Sequence, residues 1–304
     1  MDIYEKLKKA QYFEDPFEHL IIENFFTDEE LLKIEQEFPK SKQIFAEIQK
    51  QNKIILQRCL EDTKALQYLV KKKNKNDESL LKALKKRAES TYTQNTTYTL
   101  QSHELKRSIL PAIQEFMTAW QDFSDKAIPF IKSFKSFKNF KANIYNEIAE
   151  NLKLRSDIRA ISPTNQSGTT CLGPHVDASG ELVAGLIYLK DKNDSGHGGS
   201  LELYKLKETA PSRFMSTKRR IPNKYIERTK VIPYERNIAI VFPNTSKAIH
   251  GVSPRDSANF DRRLISFSIE LDGKVMMDYS EFYDKSLDQL EKYSLYEYTD
   301  SESL

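Results

Sequence analysis

The C-terminal half of the chain contains short apolar or alternating runs that are bounded by turn-forming residues. A continuous apolar run is typical of a fully buried strand, and alternation is typical of a strand with one buried face. Several short strands with turn signals between them predict an all-β sandwich or barrel, of which the jelly roll is a common metal-binding form. The runs occupy residues 157–161, 182–189, 198–204, 237–243 and 263–271.

The N-terminal half has the helical spacing of apolar residues. A helix is predicted to begin at Thr27, because Thr27 and Glu30 form a capping box, and to end before Pro39. Helices packed against a β core give an α+β protein in which the helices brace the larger sheet. Further helices are predicted at residues 80–87, 105–120 and 127–137, and a strand from about 139 to 148 is predicted to begin the barrel.

Composition narrows the class of protein. At 304 residues the chain can bury a large core, and no apolar run approaches the roughly 18 residues of a membrane span. The start of the chain lacks the apolar stretch of a secretory signal. The two cysteines, Cys59 and Cys171, give no disulfide framework. We therefore expect a cytoplasmic enzyme with no membrane partner.

The positions of the charged residues are more informative than the net charge. The net charge of +3 is too small to predict a nucleic-acid partner. Positive charge is concentrated in residues 205–236, around Lys218, Arg219 and Arg220, whereas residues 272–304 are acidic. A long basic connection between strands can overhang the mouth of a barrel and attract an anionic substrate. The alternative is a solvated surface insertion.

His175, Asp177 and His250 are the candidate metal ligands. In a strand, residues i and i+2 point to the same face, so His175 and Asp177 present an imidazole and a carboxylate to one space. His250 follows a later predicted strand that can fold back beside them. Two histidines and one carboxylate leave positions open on the metal and suit non-haem Fe(II). A zinc site with three protein ligands is the alternative.

His197 is not a candidate ligand. It lies in a polar loop and is predicted to be exposed.

The last predicted strand begins with a candidate anion-binding arginine. If Arg263 points to the inside of the barrel, the apolar side chains of Ile265, Phe267 and Ile269 point inward with it. If Arg262 points inward, the inside receives Leu264, two serines and a glutamate instead. Alternation therefore favours Arg263 as an inward cation that can hold a carboxylate in bidentate fashion, with Arg262 as the second choice.

Taken in order, these segments resemble the 2-oxoglutarate and Fe(II)-dependent oxygenases, and among them the prolyl-4-hydroxylase-like branch. The resemblance covers about residues 11–38 and 155–271. It implies a double-stranded β-helix core, of the jelly-roll or cupin-like type, braced by N-terminal helices. The division that we expect is a mainly helical region at 1–137, a catalytic core at 138–271 and an acidic extension at 272–304. The segments that carry the resemblance are 173–177, 186–189, 198–199, 241–243, 250–252 and 262–263.

The resemblance also implies a dioxygenase that uses Fe(II), 2-oxoglutarate and O2, with ascorbate as a candidate reductant. His175, Asp177 and His250 would hold Fe(II), Arg263 would hold the 5-carboxylate of 2-oxoglutarate, and Tyr188 is a candidate hydroxyl partner of the co-substrate. The implied reaction hydroxylates an unactivated C–H bond of a small molecule, amino-acid-like or a natural product, and releases succinate and CO2. The alternatives are a peptidyl-prolyl hydroxylase of the same superfamily and a cupin-like metalloenzyme or binding module that does not use 2-oxoglutarate.

Overall fold

A computed structural model describes part of the chain, and all structural statements refer to that part. Several expectations lie outside it: the helix at 80–87, both cysteines, Lys218–Arg220 and the acidic extension at 272–304. Among the described residues, no helix is long and apolar enough to cross a membrane. The described residues are 1–38, 40, 97–101, 111–138, 140, 142–161, 173–177, 181–210, 221, 223–245, 247–256 and 260–271.

The helices form a layer on one face of the protein. Thr27 caps the second helix as predicted, because its side chain accepts from the amide of Glu30 while the Glu30 carboxylate accepts from the amide of Thr27. A short 3₁₀ turn, Lys135–Phe137, follows the fourth helix. The helices are α1 Ile3–Leu7, α2 Asp28–Glu37, α3 Pro111–Gln121, α4 Ser124–Ser133 and α5 Ala142–Asn151.

The strands form a large antiparallel sheet, called here the major sheet, with a smaller one beside it. The major sheet has the order β1-β2-β9-β5-β12-β4-β3, the minor sheet has the order β10-β7-β8, and β11 pairs with β6. This α+β architecture, with two facing sheets, confirms the expected double-stranded β-helix core. The strands are β1 Gln11–Phe13, β2 His19–Glu23, β3 Thr97–Gln101, β4 Leu152–Ile161, β5 Glu181–Tyr188, β6 His197–Gly198, β7 Leu201–Leu206, β8 Ile226–Ile232, β9 Ile238–Pro243, β10 His250–Val252, β11 Arg255–Asp256 and β12 Arg262–Leu271.

Both faces of the major sheet are buried. Its outer face packs on the helices: Ile265, Phe267 and Ile269 of β12 belong to the same apolar cluster as Trp120 of α3. Its inner face packs on the minor sheet, where Leu264 lies in a second apolar cluster. When both faces of a strand are buried, a polar face does not mark the outside. The inner face of β12 is the more polar one, since it carries Arg262, Ser266 and Ser268, which are all buried. The alternation of β12 therefore does not reveal which face lines the barrel.

Two local expectations are wrong. A strand was expected from about 139 to 148, but residues 142–151 form helix α5. Its buried side chains, Ile144, Tyr145 and Ile148, have the helical spacing i, i+1 and i+4. The basic segment 205–236 was expected to be one long connection, but it contains β8, which pairs with β7 in the minor sheet.

Candidate metal centre

The backbone places the two histidines side by side. His175 lies in an isolated antiparallel bridge with His250, the first residue of β10. The amide of each residue donates to the carbonyl oxygen of the other at 2.9 Å. The two imidazole rings consequently lie with their centroids 4.3 Å apart. The expected return of a later strand beside the His-x-Asp segment is therefore observed.

Each imidazole is oriented by a hydrogen bond to the backbone. Nδ1 of His175 lies 2.7 Å from the carbonyl oxygen of Gly173, and Nδ1 of His250 lies 2.9 Å from that of Ala248. A carbonyl can only accept, so Nδ1 carries the proton and Nε2 keeps its lone pair. Such a bond on the second ring nitrogen is the usual support of a metal-ligating histidine.

The carboxylate of Asp177 completes the cluster. Its two oxygens lie 3.6 Å from Nε2 of His175 and 3.4 Å from Nε2 of His250. Within the described part of the chain, these three residues form a group whose ligand atoms all lie within 4.8 Å of one another. This spacing suits one ion bound by all three.

The protonation states favour metal binding. Burial opposes ionisation of Asp177, but protonated His250, the adjacent imidazole of His175 and the Arg159 guanidinium outweigh it at low pH and hold the pKa of the carboxyl well below its usual range. Burial lowers the pKa of His250 to about 4. At neutral pH the carboxylate is therefore ionised and His250 is neutral, and these are the forms that bind a metal.

The orientation expected for Arg263 is wrong. Its guanidinium lies away from the barrel interior, where Nη2 binds Asp191 Oδ2 at 3.0 Å and the group lies over the ring of Phe38. Arg262 points inward, on the same face as Leu264. The physical reason is that the apolar face of β12 packs on the helices, so the face that carries Arg262 lines the barrel.

Arg262 lies in a buried aromatic pocket with spare hydrogen-bonding capacity. Its guanidinium carbon is 5.1 Å from the ring centroid of Tyr188 and 5.3 Å from that of Tyr234. Nε donates to the carbonyl oxygen of Gly199 at 2.8 Å. Among the described residues, Nη2 of Arg262 and the hydroxyl of Tyr188 have no hydrogen-bond partner. A buried cation without a carboxylate partner is costly unless an anion binds there.

The site residues predicted from the sequence do not include three further residues of this pocket, Tyr234, Arg255 and Gly199. Tyr234 presents its ring to Arg262 and also to Arg255, whose guanidinium carbon is 5.1 Å from the centroid. Arg255 forms a fully buried ion pair with Asp194 at 2.6 Å. Gly199, at a φ of +74°, leaves room for both arginines, since a Cβ there would lie 2.6 Å from Cδ of Arg255 and 3.1 Å from Cδ of Arg262.

The remaining histidines in the described residues lie outside the cluster. His197 is exposed, as expected. His19 is buried, with Nδ1 on the carbonyl oxygen of Phe17 at 2.8 Å and Nε2 at 3.0 Å from Nζ of Lys230. Neither residue is part of the metal centre.

Comparison with known proteins agrees with this geometry. Residues 163–269 match the model of the 2OG-Fe(II) oxygenase superfamily. These residues are similar to a 2OG-Fe(II) oxygenase domain. All three candidate ligands and both arginines of β12 lie within the matched residues. No curated protein matches the chain.

Solved structures similar to the chain include prolyl 4-hydroxylases from Phytophthora capsici, with 9% identity, a TM-score of 0.38 and coverage of 83% of this chain and 58% of that one. A Pseudomonas putida prolyl-4-hydroxylase has 14% identity and a TM-score of 0.25, and the match covers 39% of this chain and 49% of that one. A third structure is a Trichoplax adhaerens prolyl hydroxylase in complex with a hypoxia inducible factor oxygen degradation domain peptide fragment. It has 15% identity and a TM-score of 0.26, and the match covers 40% of this chain and 45% of that one. The chain thus spans about half the length of these structures. The family assignment rests on residues 163–269.

The residues present fit the cofactors of the family, which are Fe(II), 2-oxoglutarate and O2. The two imidazoles and one carboxylate are the donor set of a facial triad with open positions. The orphaned donors of Arg262 and Tyr188 are suited to a carboxylate.

Proposed function

We propose that this protein is a 2-oxoglutarate- and Fe(II)-dependent dioxygenase that hydroxylates an unactivated C–H bond of a small molecule. The observation that carries the proposal is the His175, Asp177 and His250 cluster inside a 2OG-Fe(II) oxygenase domain. When bound, the metal with 2-oxoglutarate and O2 supplies the oxidation, and succinate and CO2 are the co-products.

The chain's own residues prepare the site for this chemistry. The carbonyls of Gly173 and Ala248 hold the imidazoles so that both Nε2 atoms face the metal position. The ring of Phe242 lies 4.9 Å from that of His250 and covers one side of it. An apolar wall of this kind limits access of water to the metal and to its bound ligands.

Arg262 and Tyr188 are the proposed subsite for the 5-carboxylate of 2-oxoglutarate. This replaces Arg263 by the second choice from the sequence and keeps Tyr188 as the hydroxyl partner. Both residues are buried, and each has an unused polar atom. A guanidinium and a phenol can together bind a carboxylate through charge-assisted hydrogen bonds.

The decisive experiment measures metal and co-substrate together. We expect wild-type protein to bind Fe(II) and 2-oxoglutarate without oxygen, giving a weak visible charge-transfer band, and to release succinate in air only when both are present. His175→Ala and Asp177→Ala should lose the band and the succinate because each removes a ligand. His197→Ala, which changes an exposed histidine, is the matched control and should behave as wild type. Succinate release by either ligand variant at the wild-type rate would contradict the proposal.

A further inference from the structure

One face of β4 carries charge into the interior of the barrel. Arg155, Asp157 and Arg159 are two residues apart and so share a face of the strand. Arg159 lies opposite Leu264 of β12, and Asp157 lies opposite Ser266. Directly opposed residues of an antiparallel pair present their side chains to the same side. Because Leu264 belongs to the inner apolar cluster, the charged strip faces the space between the two sheets.

The strip also lies beside the subsite proposed for 2-oxoglutarate. Leu264, which is opposite Arg159, is two residues from Arg262 and lies opposite Tyr188 of β5. Its side chain is 37% accessible, although β4 lies between β3 and β12 within the major sheet. The guanidinium is therefore partly accessible on the inner face of the barrel, beside the proposed co-substrate subsite.

The arginines of the strip are only loosely paired. Nη2 of Arg159 is 3.9 Å from Oδ2 of Asp157, and Nε of Arg155 is 3.8 Å from Oδ1 of the same carboxylate. Nη1 of Arg155 is 3.8 Å from the Glu270 carboxylate. These separations are longer than hydrogen bonds. In the described part of the chain, Nε of both arginines is buried without a hydrogen-bond partner.

The balance of charge indicates how a ligand would be recognised. The two arginines lie near three carboxyl groups, those of Asp157, Glu270 and Glu181. The strip as a whole therefore carries no excess of positive charge and exerts little long-range attraction on an anion. The strip instead offers directional hydrogen bonding, because the planar guanidinium of Arg159 presents donors that match the two oxygens of a carboxylate. The main chain in the middle of a peptide has no such pair of oxygens.

We propose that Arg159, supported by Arg155 and Asp157, binds the carboxylate of a small amino-acid-like substrate. The proposal rests on the proposed function, which it deepens by naming the substrate class. Arg159 determines which molecules are positioned at the metal, and Arg262 holds the co-substrate at a separate place on the same inner face. Asp157 lies between Arg155 and Arg159 in the strip.

The test uses the full-length protein loaded with Mn(II) in place of Fe(II) and saturated with 2-oxoglutarate. One probe is a pool of unmodified L-amino acids, and the other is the pool of their carboxamides, which keep the ammonium group and lose only the carboxylate. Equilibrium dialysis with mass spectrometry measures which compounds the protein retains. We expect the protein to retain at least one amino acid and not to retain the corresponding carboxamide.

Variants of Arg159 test whether this residue binds the retained acid. Arg159→Gln should weaken binding of the retained acid by about 30-fold or more, because it removes one partner of a charge pair. Arg159→Lys keeps the charge but loses the fork, so it should weaken binding about tenfold. If Arg159→Gln does not fold, Arg159→Lys decides the question. Lys33→Gln, which removes an exposed charge from α2, should bind as wild type.

Several outcomes would overturn the proposal: retention of neither pool, equal retention of both, or wild-type binding of the acid by the Arg159 variants. A rise in the 2-oxoglutarate Kd of Arg159→Gln would also overturn it, because that arginine would then hold the co-substrate. Wild-type protein that retains acids through Arg159 but binds neither Mn(II) nor 2-oxoglutarate would contradict the proposed function alone.

Discussion

At the scale of single residues, two adjacent arginines of β12 differ in everything that surrounds them. Arg262 is buried between aromatic rings with an unused Nη2, whereas Arg263 already has a carboxylate partner in Asp191. A guanidinium that is paired on the outside of the barrel cannot serve an anion inside it. The two residues therefore form a matched pair for mutation.

The first prediction concerns the affinity for 2-oxoglutarate. Arg262→Gln should weaken binding by about 2–5 kcal/mol, because it removes the cationic partner of a buried carboxylate. Arg263→Gln should have a small effect, since the pair that it breaks with Asp191 is partly exposed. Calorimetric titration of the Mn(II)-loaded protein with 2-oxoglutarate measures both. A large loss in Arg263→Gln together with a small one in Arg262→Gln would restore the assignment made from the sequence.

At the scale of elements, the pairing of β5 with β12 depends on a residue without a side chain. Gly185 lies directly opposite Phe267, whose ring occupies the space that a Cβ on Gly185 would need, with its nearest atom at 2.3 Å. The same ring packs edge-on against Phe116 and Trp120 of α3. The close approach at Gly185 therefore fixes the position of β12 relative to both β5 and the helix layer.

The second prediction tests this contact. Gly185→Ala should destabilise the protein by about 1–3 kcal/mol through overpacking, because the ring of Phe267 is held on its other side by α3. Adding Phe267→Leu should recover part of the loss, so the two changes should not be additive. Thermal unfolding of the two single variants and the double variant measures the coupling. Strict additivity would show that the two positions do not share the strain.

At the scale of the whole molecule, the helices and the barrel share one core. Trp120 is fully buried, stacks on Phe123 at 4.9 Å, and donates from Nε1 to the carbonyl oxygen of Arg155 at 2.9 Å. It therefore connects α3 to the strand that carries the charged strip. Arg236 of the barrel also binds Glu35 of α2 through two hydrogen bonds, at 2.7 and 2.8 Å.

The third prediction follows from this continuous core. Trp120→Ala should cost about 3–5 kcal/mol of stability, and Trp120→Phe, which keeps an aromatic ring, should cost less. Because the core spans both layers, release of bound Mn(II) and loss of helical circular dichroism should occur in one transition in each variant. Helices that melt well before the metal is released would show that the two layers are separate units.

The sequence determined the features that depend on nearby residues. The capping box of Thr27 and Glu30 needs only one helical turn, and the His-x-Asp pattern needs only the two-residue repeat of an extended chain. The order of the strands then made His250 the natural third ligand. These predictions needed no knowledge of which surfaces pack together, and the structure places His175, Asp177 and His250 in one cluster.

Only the tertiary structure decided which face of each element lines the barrel. The alternation in β12 favoured Arg263, but helices cover the apolar face of that strand, and the opposite face carries Arg262 into the interior. The same packing turns Arg159 of β4 inward, where it lies opposite Leu264. A pattern of alternation shows that a strand has two different faces. Which of them is inside depends on what the rest of the chain packs against each face.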